Sequence, residues 1–154
     1  MATTETIRSE RREEARRRLG GYRAWVTLND QTLRLIESIE SRLFSVTAQM
    51  GETNGSGDAK DAMADNIATM HEQAEKLREQ SKAFGEKLDT LLCTVCRVTE
   101  VDPLAGQVLA LRYMELGKPM EFAEIGDRLG EYSEDHMKRK HAEGLDLAAD
   151  VLGL

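Results

Sequence analysis

From Met63 to Val98 one set of residues recurs at alternating steps of four and three without a break: Met63, Ile67, Met70, Ala74, Leu77, Ser81, Phe84, Leu88, Leu91, Val95 and Val98. Five heptads in register are the pattern of a helix whose a/d seam faces another helix, and few other folds can hold such a sequence. The pattern continues to about Glu100, and Asp58 stands where the start of the helix needs a cap. At about 1.5 Å per residue this predicts a rod on the order of 60 Å long.

Such a rod needs a partner, and the preceding segment offers one. Trp25, Leu28, Thr32, Leu35, Ile39, Val46 and Met50 repeat with nearly the same period, helped by Leu43 and Phe44 and interrupted by Arg42. A Gly-rich tip at 51–57 separates the two halves and reads as a reversal of the chain. The expectation is therefore an antiparallel helical hairpin over residues 22–100. Pairing of one or both helices with a second copy, as a homodimer, is the alternative. Leu19-Gly20-Gly21 should break the helix before the hairpin, because paired glycines are poor in a helix interior. That sets residues 1–21 apart as an N-terminal arm.

Composition narrows the class. Only two prolines occur among the 154 residues, and the abundance of Leu, Glu, Ala and Arg favours helix throughout. Charged residues make up 32% of the chain, and the longest apolar run, Val108-Leu109-Ala110-Leu111, is far short of a membrane span. No membrane partner is expected. No apolar segment follows a basic start, and two cysteines cannot build a disulfide framework, so the expected location is cytoplasmic. The net charge of −7 speaks against a polyanionic partner until its distribution is considered. Residues 1–23 hold seven Arg against four Glu, whereas the other 131 residues hold 14 basic and 24 acidic groups. A basic arm on an acidic body reads either as a nucleic-acid arm or as a solvated helix end.

The last third has a different rhythm. Asp102-Pro103 is a helix start, with Asp as cap and Pro in the first turn. Leu104, Val108, Leu111 and Tyr113-Met114 form an amphipathic helix ending near Gly117. Phe122, Ile125 and Leu129 give the apolar face of a short helix closed by Gly130. Ser133 caps the last helix, Glu134 and Asp135 occupy its dipole-favoured first turn, and Met137, His141, Leu145 and Ala148 line its buried side. Three short helices over residues 101–154, with a tight turn between the last two, make a helix-turn-helix arrangement. The fold class expected is all-α, a long antiparallel helical hairpin (coiled coil) followed by a C-terminal three-helix helix-turn-helix domain.

Three segments, Val108-Leu-Ala-Leu-Arg-Tyr-Met-Glu, Phe122-Ala-Glu-Ile-Gly-Asp-Arg-Leu-Gly and Tyr132-Ser-Glu-Asp-His-Met-Lys-Arg-Lys-His, resemble sigma-factor region 4. More specifically, they resemble the phage and prophage transcriptional regulators of the RinA/ArpU type. That resemblance implies sequence-specific binding to double-stranded DNA in a bacterial host cell, control of phage operons including late or packaging genes, and RNA polymerase as a second partner. In this layout Phe122 anchors the first helix of the motif, and Gly126 lets the two helices cross closely. If Met137 points to the core, Glu134, Asp135, Lys138 and Arg139 project outward. Arg139 is then placed for guanine and Glu134 or Asp135 for cytosine, while Ser133, His136, Lys138 and Lys140 suit phosphates. Arg12, Arg16, Arg17 and Arg18 of the basic arm are further phosphate contacts.

Three departures from the pattern carry expectations of their own. Glu131 adds one residue to the turn and should alter the docking of the last helix. Lys140 takes a place that is usually apolar, and Gly144 one where Ala is commoner, which predicts fraying. Asp135 lies where a basic residue is frequent. The window 131–154 holds only Lys138, Arg139 and Lys140 against six acids, so a lone domain should bind DNA weakly.

Little else in the chain points to chemistry. Cys93-Thr-Val-Cys96 has no second pair to complete a tetrahedral zinc site and lies in mid-helix, so it reads as two half-buried thiols beside Leu91, Val95 and Val98. His71 and Glu75 read as a solvated pair, and His136 and His141 share no face. No metal site, cofactor or catalytic residue is assigned, and the chain is not expected to be an enzyme. The alternative to the DNA-binding expectation is an acidic coiled-coil module that docks a protein through a vestigial helix-turn-helix.

Overall fold

A computed structural model describes residues 2–50 and 57–154. Among the described residues six α-helices follow one another: α1 Thr4–Gly20, α2 Tyr22–Met50, α3 Gly57–Val101, α4 Pro103–Leu109, α5 Phe122–Gly130 and α6 Glu134–Val151. A π-helical turn, Ala110–Met114, continues α4. No strand occurs among the described residues, so the all-α class stands. The Gly-rich tip from Gly51 to Ser56 and the capping side chain of Asp58 lie outside the described residues. No helix among the described residues is long and apolar enough to cross a membrane. The chain divides into two compact units, residues 26–86 and residues 1–25 with 87–154.

In the unit of residues 26–86, α2 and α3 run antiparallel. Asn29 meets Ser81 across the pair, Oδ1 to Oγ at 2.7 Å, and further along α2 Glu40 meets Arg78 at 2.7 Å, earlier in α3. Every α3 seam residue of this unit, from Met63 to Phe84, is buried or half-buried. On α2 the seam differs from the expectation. It runs through Asn29, Thr32, Ile36, Ile39, Leu43 and Val46, while Leu28 and Leu35 are 43% and 54% exposed. Heptad register explains the correction. Asn29 and Ile36 continue the unbroken three-four stepping, which puts Leu28 and Leu35 one position earlier, on the flank. Arg42 is exposed and interrupts nothing, because Leu43 fills the seam beside it. Phe44 is 80% exposed and gives the seam no help.

A polar Asn–Ser contact inside an apolar seam favours one alignment of the helices over shifted ones, at some cost in stability. The seam assignment carries a direct test in chemical denaturation. Ile36→Ala should cost about 2–4 kcal/mol, as a buried aliphatic truncation does. Leu35→Ala should stay within about 0.5 kcal/mol, as for a surface position; equal costs would return the seam to Leu35.

In the other unit, α1, the end of α3, α4, the π-helical turn and α6 share one core: Ala15 and Leu19 of α1, Leu91, Val95 and Val98 of α3, Ala105 and Leu109 of α4, Tyr113 of the π-helical turn, and Leu145, Ala148 and Ala149 of α6. Residues 1–21 are therefore not an arm. Ala15 and Leu19 lie four apart on one face of a charged helix and are fully buried, enough to seat α1 on α6. Arg8 and Arg12 both bind Asp146, at 2.7 and 2.8 Å. Arg11 reaches Asp150 at 2.6 Å and the Leu154 carbonyl at 2.7 Å. The break at Gly20-Gly21 is real, since α1 ends there and α2 begins at Tyr22. Just beyond it the Lys87 ammonium sits 3.9 Å from the centre of the Trp25 ring.

α6 does not fray. It runs unbroken to Val151, and both departures have structural uses. Lys140 Nζ pairs with Asp102 at 2.9 Å and Glu143 at 3.1 Å. Asp102 also caps α4, its Oδ1 accepting the Ala105 N–H at 3.1 Å, and these contacts, Lys140 first, hold its carboxyl below the usual range. Gly144 is buried where a Cβ would stand 3.1 Å from Leu109 Cγ and 3.3 Å from the Ala105 carbonyl, so its small size lets α4 lie close to α6. Cys93 and Cys96 are both exposed rather than half-buried, because α3 turns Thr94 and Val95 inward between them.

Candidate nucleic-acid interface

α5 and α6 pack against each other through a second apolar cluster of Val108, Met120, Ile125 and Met137, flanked by Leu104, Leu111, Phe122 and Leu129. The turn between them is tight. Gly130 has φ +133° and Glu131 φ +63°. Only the glycine adopts this freely; a glutamate there carries a steric cost of about 1 kcal/mol. The added residue is thus absorbed as a left-handed helix end, with the Tyr132 N–H donating to the Gly126 carbonyl at 3.1 Å. Gly126 is the contact point, since a Cβ there would overlap the Tyr132 carbonyl oxygen.

From this turn α6 emerges capped. Ser133 Oγ accepts the His136 N–H at 3.2 Å, with Glu134 and Asp135 in the first turn. Met137 is fully buried, which fixes the rotation of the helix and turns Glu134, Asp135, Lys138 and Arg139 to the surface. Lys138 lies 3.4 Å from Glu134 one turn earlier, an exposed and weak pair. Arg139 is in no ion pair among the described residues; its Nη2 lies 3.4 Å from His136 Nδ1. His136 is half-buried and packs on the ring of Tyr132, centroids 5.3 Å apart.

On the buried side His141 Nε2 lies 2.6 Å from the Tyr113 hydroxyl, and its ring contacts Phe122 edge-on at 5.0 Å. Burial, reinforced by the charges of Arg112, Arg16 and Arg12, lowers His141 to about 4. Burial likewise pushes the Tyr113 phenol up to about 12. Arg112 secures the approach to α5, donating to the Met120 carbonyl at 2.6 Å and lying over the Phe122 ring.

Of the expected contacts, Ser133, Glu134, Asp135, His136, Lys138 and Arg139 share the N-terminal half of α6, while Lys140 is a strut to α4 rather than a phosphate ligand. Of the α1 arginines expected at phosphates, Arg12 is turned to Asp146, while Arg16, Arg17 and Arg18 are exposed and make only weak pairs within their own helix, with Glu13 and Glu14. Moreover, α1 lies against the later turns of α6, at Asp146 and Asp150, away from Lys138 and Arg139. Two exposed side chains beside the turn are not among the expected contacts. Tyr132 is 39% exposed, and Arg128 pairs with Glu115 at 2.8 Å. The position of Tyr132 just before the Ser133 cap is the sequence signal that marks it. Exposed acids surround the site: Glu121, Glu124, Asp127, Glu131, Glu134 and Asp135. In comparisons with known proteins, the chain matches no family model, no curated protein and no solved structure.

Proposed function

We propose that this protein is a sequence-specific DNA-binding regulator of phage or prophage genes, of the kind that controls a late or packaging operon, reading DNA with the N-terminal half of α6. The observation that supports this reading best is the pairing of a buried Met137 with outward Lys138 and Arg139 on a capped helix crossed by α5. In a helix-turn-helix these are the positions that reach base edges and phosphates. Arg139 serves as the base reader and Lys138 as the phosphate contact. Because Arg8, Arg11 and Arg12 are engaged by acids of α6 and α1 lies along its later turns, further cationic surface comes from a second copy of the chain or from RNA polymerase.

A binding titration on a pool of duplexes selected by the native protein tests the assignment. Arg139→Ala should cost about 1–3 kcal/mol and relax the preference at one base pair, whereas Lys138→Ala should weaken all sequences alike and reduce the salt slope by about 1. Unchanged affinity and salt slope in both variants would remove α6 as the reader. The acids around the turn, and the hairpin unit with 6 basic against 11 acidic residues, favour a second reading, an acidic module that docks a protein. Capture of a protein partner without retention on heparin would support that reading instead.

A further inference from the structure

The start of α5 is not held by a cap of its own, since the Glu121 side chain makes no capping hydrogen bond. Arg112 does that work from the π-helical turn. It donates to the Met120 carbonyl at 2.6 Å and lies over the ring of Phe122, the first residue of α5. Near the far end of α5, Arg128 pairs with the Glu115 carboxylate, an exposed and weaker hold. The two ends of α5 are thus tied to the side chains of Arg112 and Glu115.

The backbone of those same two residues is gripped by a single side chain. Arg23, in the first turn of α2, donates through Nη2 to the Arg112 carbonyl at 2.9 Å and through Nε to the Glu115 carbonyl at 2.6 Å. The π-helical turn stops at this point, because Glu115 is already extended, with ψ 137°. A helical segment leaves its last carbonyls without partners, and a cation is favoured at that end. The planar fork of arginine bridges two acceptors in a fixed geometry, which the point charge of lysine does not.

We propose that Arg23 is a positioning residue for α5, acting through Arg112 and Glu115 to set how α5 crosses α6. What this does for DNA rests on the reading proposed above. In a helix-turn-helix the first helix crosses the backbone while the second enters the groove, so an α5 released from the grip leaves the reader on phosphates without its seat on the bases.

Native-state hydrogen exchange of the full chain tests the grip without DNA. Arg23→Ala and Arg112→Ala should each lower the protection of the Ile125 amide, which donates to the Glu121 carbonyl, by about tenfold or more, the lower end of what hydrogen bonds to a charged group contribute. The amides of Leu19 and Leu145, in the other core, should keep theirs, because such openings are local. The two arginines act in series, so the double variant should lose no more than the larger single loss. Native protection in Arg23→Ala, or losses that multiply, would overturn the relay. Should Arg23→Ala fail to fold, Arg23→Lys, which keeps the charge but not the bridge, is read in the same way. On duplexes that the native protein selects, Arg23→Ala should bind more weakly, with unchanged binding to a scrambled duplex and an unchanged salt slope, since its cation faces carbonyls and not phosphates. Unchanged selectivity would overturn the positioning role in reading. A native protein without any duplex preference would remove the DNA reading instead, and the exchange result alone would then decide the grip.

Discussion

Gly126→Ala should collapse the helix-turn-helix. The added methyl would overlap the Tyr132 carbonyl oxygen and stand 3.2 Å from the Tyr132 carbonyl carbon, and neither atom belongs to a side chain that can swing away. The turn itself has little freedom to yield. Glu131 is already in the left-handed region, Tyr132 is tied back to the Gly126 carbonyl, and Ser133 is held in its capping role. Overpacking of ordinary cores costs about 1–3 kcal/mol; a collision with backbone should reach or exceed the top of that range. Set against a total stability of about 5–15 kcal/mol for a domain, that is a large fraction. Gly144→Ala is the natural comparison. Its new methyl meets mainly the Leu109 side chain at 3.1 Å, which can shift, so a loss of about 1 kcal/mol is expected. Thermal melts of the two variants decide the matter, and a Gly126→Ala protein that melts with the native one would show that the crossing does not depend on this contact.

The parts of the fold that sequence carries in local spacing were legible. The seam of α3 faces inward as the four-three stepping requires. The caps at Asp102 and Ser133, the close crossing at Gly126 and the burial of Met137 all follow from residue type and position. Errors arose where one position decides a face. Leu35 is more apolar than Asn29, yet register, not hydropathy, places Asn29 and Ile36 in the seam. In the same way, counting seven arginines hid the short Ala15–Leu19 stripe that buries α1. Ion pairs between distant segments leave no local trace. Lys140 looks like an exposed cation until Asp102, 38 residues earlier, is brought beside it, and Arg12 finds Asp146 across 134 positions. The candidate interface lost Lys140 and Arg12 for that reason and kept the two cations that local helix geometry turns outward.

Stability should fall on acidification well before the carboxylates titrate, and His141 is the cause. In the folded protein its imidazole resists protonation until about pH 4, because the ring is packed between Tyr113 and Phe122 and faces the positive charges of Arg112, Arg16 and Arg12. In the unfolded chain it takes up its proton near the ordinary histidine value of about 6.5. Between these two values the unfolded state holds more protons than the folded one, so the free energy of unfolding must decline as pH falls through this window. The full difference corresponds to about 3 kcal/mol; partial exposure of the ring reduces the expected loss to about 2 kcal/mol. Asp146 and Asp102 act in the same direction but lower on the scale. Hydrogen bonds from Arg12 and Arg8 outweigh the burial that would raise Asp146, and Lys140 lowers Asp102, so their contributions are lost only as pH drops below about 3.9. Urea unfolding at intervals from pH 7.5 to 3 should therefore show two steps. His141→Gln keeps an amide beside the Tyr113 hydroxyl but cannot be protonated, so it should remove the first step and leave the second. A His141→Gln protein that still weakened between pH 6.5 and 4 as the native one does would mean that the buried imidazole is not the group responsible.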